Sequence, residues 1–212
     1  SEAKIVDIFL EEGASMVDQD ALRPLRVSAG VMKAITDTTT PQGIAALVEM
    51  PDTSLGALPA AASLVLVLAE VRDPGNAGTL IRSALGAGAS AVIFSDGCVD
   101  PFAPKTIRSA AGALFEIPII RASLGAATDV LKSEGFELLG TEAGGKAVHA
   151  LDLSGKVAFV LGNEAWGLSP EADGLLDAKV GIPMPGALES LNVAVAGSLL
   201  LFEAVRQRSL PG

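Results

Sequence analysis

Leu64-Val-Leu-Val-Leu68 and, well downstream, Val157-Ala-Phe-Val-Leu161 decide the fold class of this chain. Both are unbroken apolar runs. A strand with one wet face alternates apolar and polar residues, so runs like these belong to a parallel sheet covered on both faces. Around them strand and helix patterns alternate. Further strands are read at 91–94, 117–120, 136–141 and 179–182, and helices at 76–85, 103–113, 124–133, 170–175 and 191–208. The class is therefore α/β, a mostly parallel sheet flanked by helices. Ligands are expected beyond the carboxyl ends of its strands.

Composition narrows the setting. The 212 residues suit one large domain, or a large one with a small one. Half are hydrophobic, mostly Ala, Val, Leu and Ile, with seven Phe, one Trp and no Tyr. No apolar run reaches the ~20 residues of a membrane helix, and no signal-peptide pattern is seen, so a cytoplasmic location is expected. The single Cys98 excludes an internal disulfide and a cysteine zinc cluster. The net charge of −10 argues against a sequence-independent nucleic-acid binder.

Residues 1–50 read as a small αβ unit. Ile5, Val6, Ile8, Phe9 and Leu10 recur at helical spacing up to Gly13. A short strand is read at 25–28, and Ser28 caps a helix through Val31, Met32 and Ile35. Thr38-Thr39-Thr40-Pro41-Gln42-Gly43 is a turn, with a strand at 44–50. The chain opens without Met and already inside a periodic pattern, so this unit is expected to be incomplete. Residues 51–62, rich in Pro, Gly and Ala, read as a linker to a domain spanning 63–212.

Two glycine patterns invite nucleotide-binding readings. Gly86-Ala-Gly88-Ala-Ser-Ala91 fits a dinucleotide fingerprint but follows a helix, the reverse of what that motif requires, so it reads as a helix stop. Gly140 to Lys146 nearly fits a phosphate loop, but Ala147 stands where a hydroxyl should bind magnesium. It reads better as a strand-end loop that touches another ligand. His149, the only histidine, has no triad partner or metal-ligand spacing around it and reads as structural or surface. Trp166, between polar loop residues, either stacks on a ring or shields its loop.

Three segments carry the chemistry. Asp73-Pro-Gly-Asn76 turns out of the first buried strand, Asn76 is placed to cap the next helix, and Arg82 lies within that helix. Leu161-Gly-Asn-Glu-Ala-Trp-Gly-Leu168 follows a second strand. Ile182-Pro-Met-Pro-Gly-Ala-Leu-Glu-Ser-Leu-Asn-Val-Ala194 leads into the last helix. Pro fixes φ, Gly permits close approach, and a helix start offers free N–H groups, as in loops that hold a ligand by main-chain atoms.

In order and each after a strand, Asn76-x-Gly78-x-x-x-Arg82, Leu161-Gly-Asn-Glu164-x-x-Gly167-Leu168 and Ile182-Pro-Met184-x-Gly186-x-x-x-Ser190-Leu-Asn192-Val193 resemble the three motifs of the SpoU (TrmH) branch of the SPOUT RNA methyltransferases. The resemblance covers residues 63–208. Residues 1–50 are similar to the end of the small RNA substrate-binding domain that precedes the catalytic domain in many members. The resemblance implies an α/β fold with a C-terminal deep trefoil knot and a homodimer. It implies S-adenosyl-L-methionine (AdoMet) as methyl donor and a 2′-O-methylated ribose in RNA, ribosomal RNA before tRNA, as product. Carried over residue by residue, it puts the cofactor pocket on Thr141, Glu142, Gly144, Gly162, Glu164, Ile182, Met184, Leu191 and Asn192. The reaction centre falls on Asn76, Arg82, Glu164, Ser190 and Asn192. No metal is implied.

A sulfonium methyl is already electrophilic, so positioning supplies much of the acceleration, up to ~7–11 kcal/mol. The resemblance makes Arg82 the base. A guanidinium pKa above ~12 leaves a second role, bidentate grip on the adjoining phosphate. RNA would be held by a local patch of Arg72, Arg82, Lys105, Arg108 and Arg121. Two other readings stay open: a non-catalytic RNA-binding or ribosome-assembly protein of the same fold, and a nucleotide hydrolase using Gly140 to Lys146.

Overall fold

The structure is a computed structural model that describes residues 4–15, 23–36, 38 and 40–209. Thr39, in the expected turn, lies outside them. The chain divides into two compact units, Glu2–Pro51 and Asp52–Gly212.

In the first unit, β1 (Ile5–Glu11) is the central strand, parallel to β2 (Leu25–Val27) and antiparallel to β3 (Ile44–Val48). Helix α1 (Ala29–Thr36) packs on β1 and β3 and buries Met32. The helix expected over Ile5–Leu10 is thus a strand. Ile8 and Leu10 are buried at a period of two, and the run fits both periods on paper. Pairing with Ala46 and Ile44 settles the choice for this β-branched stretch.

In the second unit the apolar runs form β4 (Leu64–Leu68) and β8 (Val157–Leu161), every residue buried. Between them come α2 (Pro74–Gly86), β5 (Ala91–Phe94), α3 (Pro104–Ala110), β6 (Ile119–Arg121), α4 (Leu124–Ser133) and β7 (Glu137–Ala147). After β8 follow α5 (Pro170–Asp173), β9 (Ala178–Gly181) and α6 (Val193–Arg208). The six strands are parallel in the order β6-β5-β4-β8-β7-β9.

Alternate residues of one strand serve opposite faces. Leu64, Leu66 and Leu68 join Leu80, Phe159 and Leu201 in one core under α2 and α6. Val65 and Val67 join Ile93, Leu131 and Val160 in a second core under α4. That double burial is why these runs never alternate. Residues 51–62, expected as a linker, include Leu55, Ala57 and Leu58, which pack on the second core, and Thr53, whose carbonyl accepts from Arg121 N at 2.8 Å. The strand order reverses between β4 and β8, and in such sheets ligands bind beyond the carboxyl ends of the strands. The loops after β4, β7 and β8 lie at that edge.

Candidate active site

The first loop begins with a correction. Asp73, and not Asn76, caps α2: its carboxylate accepts from Asn76 N at 2.8 Å, and Pro74 takes the first helical turn. Pro suits that position because its fixed φ is helical and its missing N–H is not needed there. The side chain of Asn76 is thereby left to bond the other two segments. Its Nδ2 donates to Glu164 Oε1 at 3.2 Å, and its Oδ1 accepts from Asn192 Nδ2 at 3.0 Å.

Glu164 is the node. Its Oε1 also accepts from Asp73 N at 3.0 Å, and its Oε2 from Arg72 N at 3.3 Å. Partial burial pushes its carboxyl up, but the N–H bonds outweigh that and hold it below the ordinary carboxylate value. Asn192 caps α6, its Oδ1 accepting from Ala194 N and Val195 N at 2.9 and 3.3 Å. With the oxygen committed to the cap, its amide donor can only face Asn76. One connected network therefore joins all three segments.

Below this network lies a cavity of about 350 Å³. Of the expected cofactor residues, Thr141, Glu142, Gly162, Ile182, Met184 and Leu191 line it, as does Ser190. Gly144 does not; Glu164 and Asn192 sit in the network instead. Arg82 is exposed on α2 and makes no hydrogen bond or ion pair among the described residues. Six positions after Asn76, it lies about 9 Å further along the axis and turned about 240° away.

Two glycines permit this packing. A methyl group on Gly162 would overlap the Gly167–Leu168 backbone. One on Gly181 would sit 2.8 Å from Gly145 N.

Sequence reasoning missed the charged floor of the cavity. Lys179 Nζ bonds Asp173 Oδ2 at 2.6 Å and Glu142 Oε1 at 2.8 Å, which holds the ammonium above its ordinary pKa. These residues come from three separate elements, so no local spacing marks them. Buried Asn163 was also passed over, though it stands beside Glu164. Its Nδ2 donates to Glu70 O at 2.9 Å and its Oδ1 accepts from Ala165 N, which fixes the 163–167 hairpin. The phosphate-loop reading fails for a structural reason: β7 runs through Gly140–Lys146, and a 3-10 turn (Val148–Ala150) follows where a helix is required.

The chain belongs to the SpoU rRNA Methylase family, whose model matches residues 63–202. RlmP of Bacillus subtilis (strain 168), a 23S rRNA (guanosine(2553)-2'-O)-methyltransferase, is 41% identical over 177 residues, or 83% of this chain and 70% of that protein. Among solved structures, the SpoU methyltransferase AviRb from Streptomyces viridochromogenes, in complex with AdoMet, is similar with a TM-score of 0.85 at 29% identity, covering 97% of this chain and 84% of that one. An AdoMet-bound rRNA methyltransferase from Sinorhizobium meliloti gives 0.85 at 32% identity, covering 99% and 82%.

Proposed function

We propose that this chain transfers a methyl group from AdoMet to the ribose 2′-hydroxyl of a nucleotide in structured ribosomal RNA. The carrying observation is the Glu164–Asn76–Asn192 network, which joins the three motif loops above a ligand-sized cavity. Family membership and the names of the relatives support the same reading.

The cavity suits the donor. Its volume of about 350 Å³ lies within the range of ligand sites, ~300–1,000 Å³. Ile182, Leu191, Val193 and Leu200 offer an apolar slot for a purine, and Glu142, Asp173 and Lys179 offer charge partners for an amino-acid tail. Bound AdoMet supplies the electrophilic methyl. The residues do the rest. Glu164 stays ionised and holds the Arg72–Asn76 turn in place, while its charge favours a cationic ligand. Asn76 and Asn192 present oriented amides to the ribose. Ser190, on the cavity wall, hydrogen-bonds the attacking hydroxyl. Arg82, without a hydrogen-bond or ion-pair partner among the described residues, grips the adjoining phosphate or takes the hydroxyl proton.

Three finer readings go with it. The first is a C-terminal trefoil knot, which goes with family membership; Val180 pairs with both Thr141 and Lys146, so residues 142–145 leave the β7–β9 register there. The second is a homodimer, supported by Val195, Leu199 and Phe202, exposed at 48, 47 and 50% along one stripe of α6. The third is RNA binding, by the first unit and, separately, by the expected basic patch, of which Arg82, Lys105 and Arg108 are exposed and unpaired among the described residues while Arg72 pairs with Glu70 and Arg121 with Asp100. Among the described residues no helix is long and apolar enough to cross a membrane.

The test is methyl transfer from labelled AdoMet to unmodified ribosomal RNA, followed by mapping of the modified position. A 2′-O-methylated ribose is expected. Label on a base, or none on any RNA despite AdoMet binding, would sink the assignment.

A further inference from the structure

Trp166 is the chain's only tryptophan, and it stands 57% exposed on the wall of the cavity. A large ring left in water on a methyltransferase site calls for a reason, and its mounting is stiff. Asn163 and Gly167 exchange two backbone hydrogen bonds, at 2.8 and 3.0 Å, on either side of it. The Asn163 side chain ties the same hairpin to Glu70 O. The Arg72 guanidinium lies 5.2 Å from the ring centroid. Arg72 is in turn fixed by its backbone N–H to Glu164, the node of the network. The ring is therefore held in register with the polar network rather than left loose on a loop.

We propose that Trp166, braced by Arg72, is a stacking platform for an unpaired nucleobase of the RNA substrate, next to the ribose that receives the methyl group. A 2′-hydroxyl can be brought into line only if its nucleotide leaves regular stacking. The base so displaced loses its neighbours and regains them on an aromatic face. The Arg72 guanidinium, paired with Glu70 Oε2 at 3.4 Å, steadies the ring beside that base. This inference rests on the methyltransferase reading and names the group that recognises the substrate.

The single tryptophan is its own reporter. With AdoMet saturating, unmodified ribosomal RNA is expected to quench Trp166 emission, while polyphosphate, an anion without bases, leaves it unchanged. Trp166→Ala should raise KM for RNA about tenfold, with kcat and AdoMet affinity within about threefold, and Trp166→Phe should recover most of the loss. Equal quenching by polyphosphate, or an unchanged KM in Trp166→Ala, overturns the platform. Weakened AdoMet binding with unchanged RNA KM overturns it too, by assigning the ring to the donor. A wild-type protein that binds AdoMet and methylates no RNA refutes the functional reading instead, and RNA quenching then still decides the platform.

Discussion

The two units solve burial in opposite ways. In the second, β4 and β8 are sealed on both faces and every residue of each is buried. In the first, the described hydrophobic residues that are buried are Ile8 and Leu10 of the sheet and Met32 of α1, and Ile5, Val6, Leu25, Val31, Ile35, Ile44, Leu47 and Met50 all stand more than 40% exposed. The contrast explains where chemistry can be built. The Glu164 network is built by the loops that follow β4, β8 and β9, and two of these strands, β4 and β8, are fully buried. Such placement needs a rigid scaffold, because misplacement by about 1 Å costs on the order of 100-fold in rate. The thin unit offers exposed apolar surface in place of such a scaffold.

The largest expected effect tests the sealed sheet. Leu66 is fully buried at the centre of β4, and Leu66→Ala should cost about 2–5 kcal/mol, read as a lowered denaturation midpoint. A loss below about 1 kcal/mol would mean the core collapses into the space, and the contrast between the units would weaken.

Next comes the division of labour within the scaffold. Arg82→Ala should lower methyl transfer by about 10²–10³-fold. Calorimetry should find AdoMet affinity nearly intact, since Arg82 is outside the cavity wall. Normal turnover in this variant removes Arg82 from the mechanism. Glu164→Gln is smaller. Its NH2 replaces one of the two oxygens and so faces either Arg72 N or the Asp73 N–Asn76 Nδ2 pair, which should cost about 1 kcal/mol, at the low end for a charged bond because the group faces solvent. Because the folded carboxyl titrates below its ordinary 4.5, its contribution is fully present above that pH and fades as pH falls through the lower folded value. The stability gap between wild type and Glu164→Gln should therefore be flat near neutrality and close on acidification. A gap that widens in acid reverses the sign of the argument.

How much of this was legible in the sequence follows from the same contrast. The parallel sheet could be read because double burial leaves an unambiguous apolar run, and the span of α4, capped by Ser123, was read to the residue. The strand β1 could not. A half-buried run of Ile, Val, Phe and Leu satisfies both helical and strand periods, and only its partner β3 decides. In the site, the motif residues of three loops were legible as types, and the structure joins Asn76, Glu164 and Asn192 directly. The Lys179–Glu142–Asp173 cluster was not, because its members meet only when β9 lies beside β7 and near α5. The cap of α2 was misread by three residues: Asp73 and Asn76 are both good caps, and the helix takes the one ahead of Pro74.

The smallest effect is the most pointed test of the thin unit. Leu47 sits on β3 opposite Asp7 of β1 and is 51% exposed. Half its surface is already in water, so Leu47→Ala removes little burial, leaves no cavity and should change stability by less than about 0.5 kcal/mol. Leu10→Ala, on the neighbouring strand and buried to 1% exposure, is the matched control and should cost about 2 kcal/mol or more. The pair separates surface from core inside one small sheet. If Leu47→Ala matches Leu10→Ala, the open face is covered in solution. If Leu47→Ala is silent for stability but weakens RNA affinity, that face is where the unit meets its substrate.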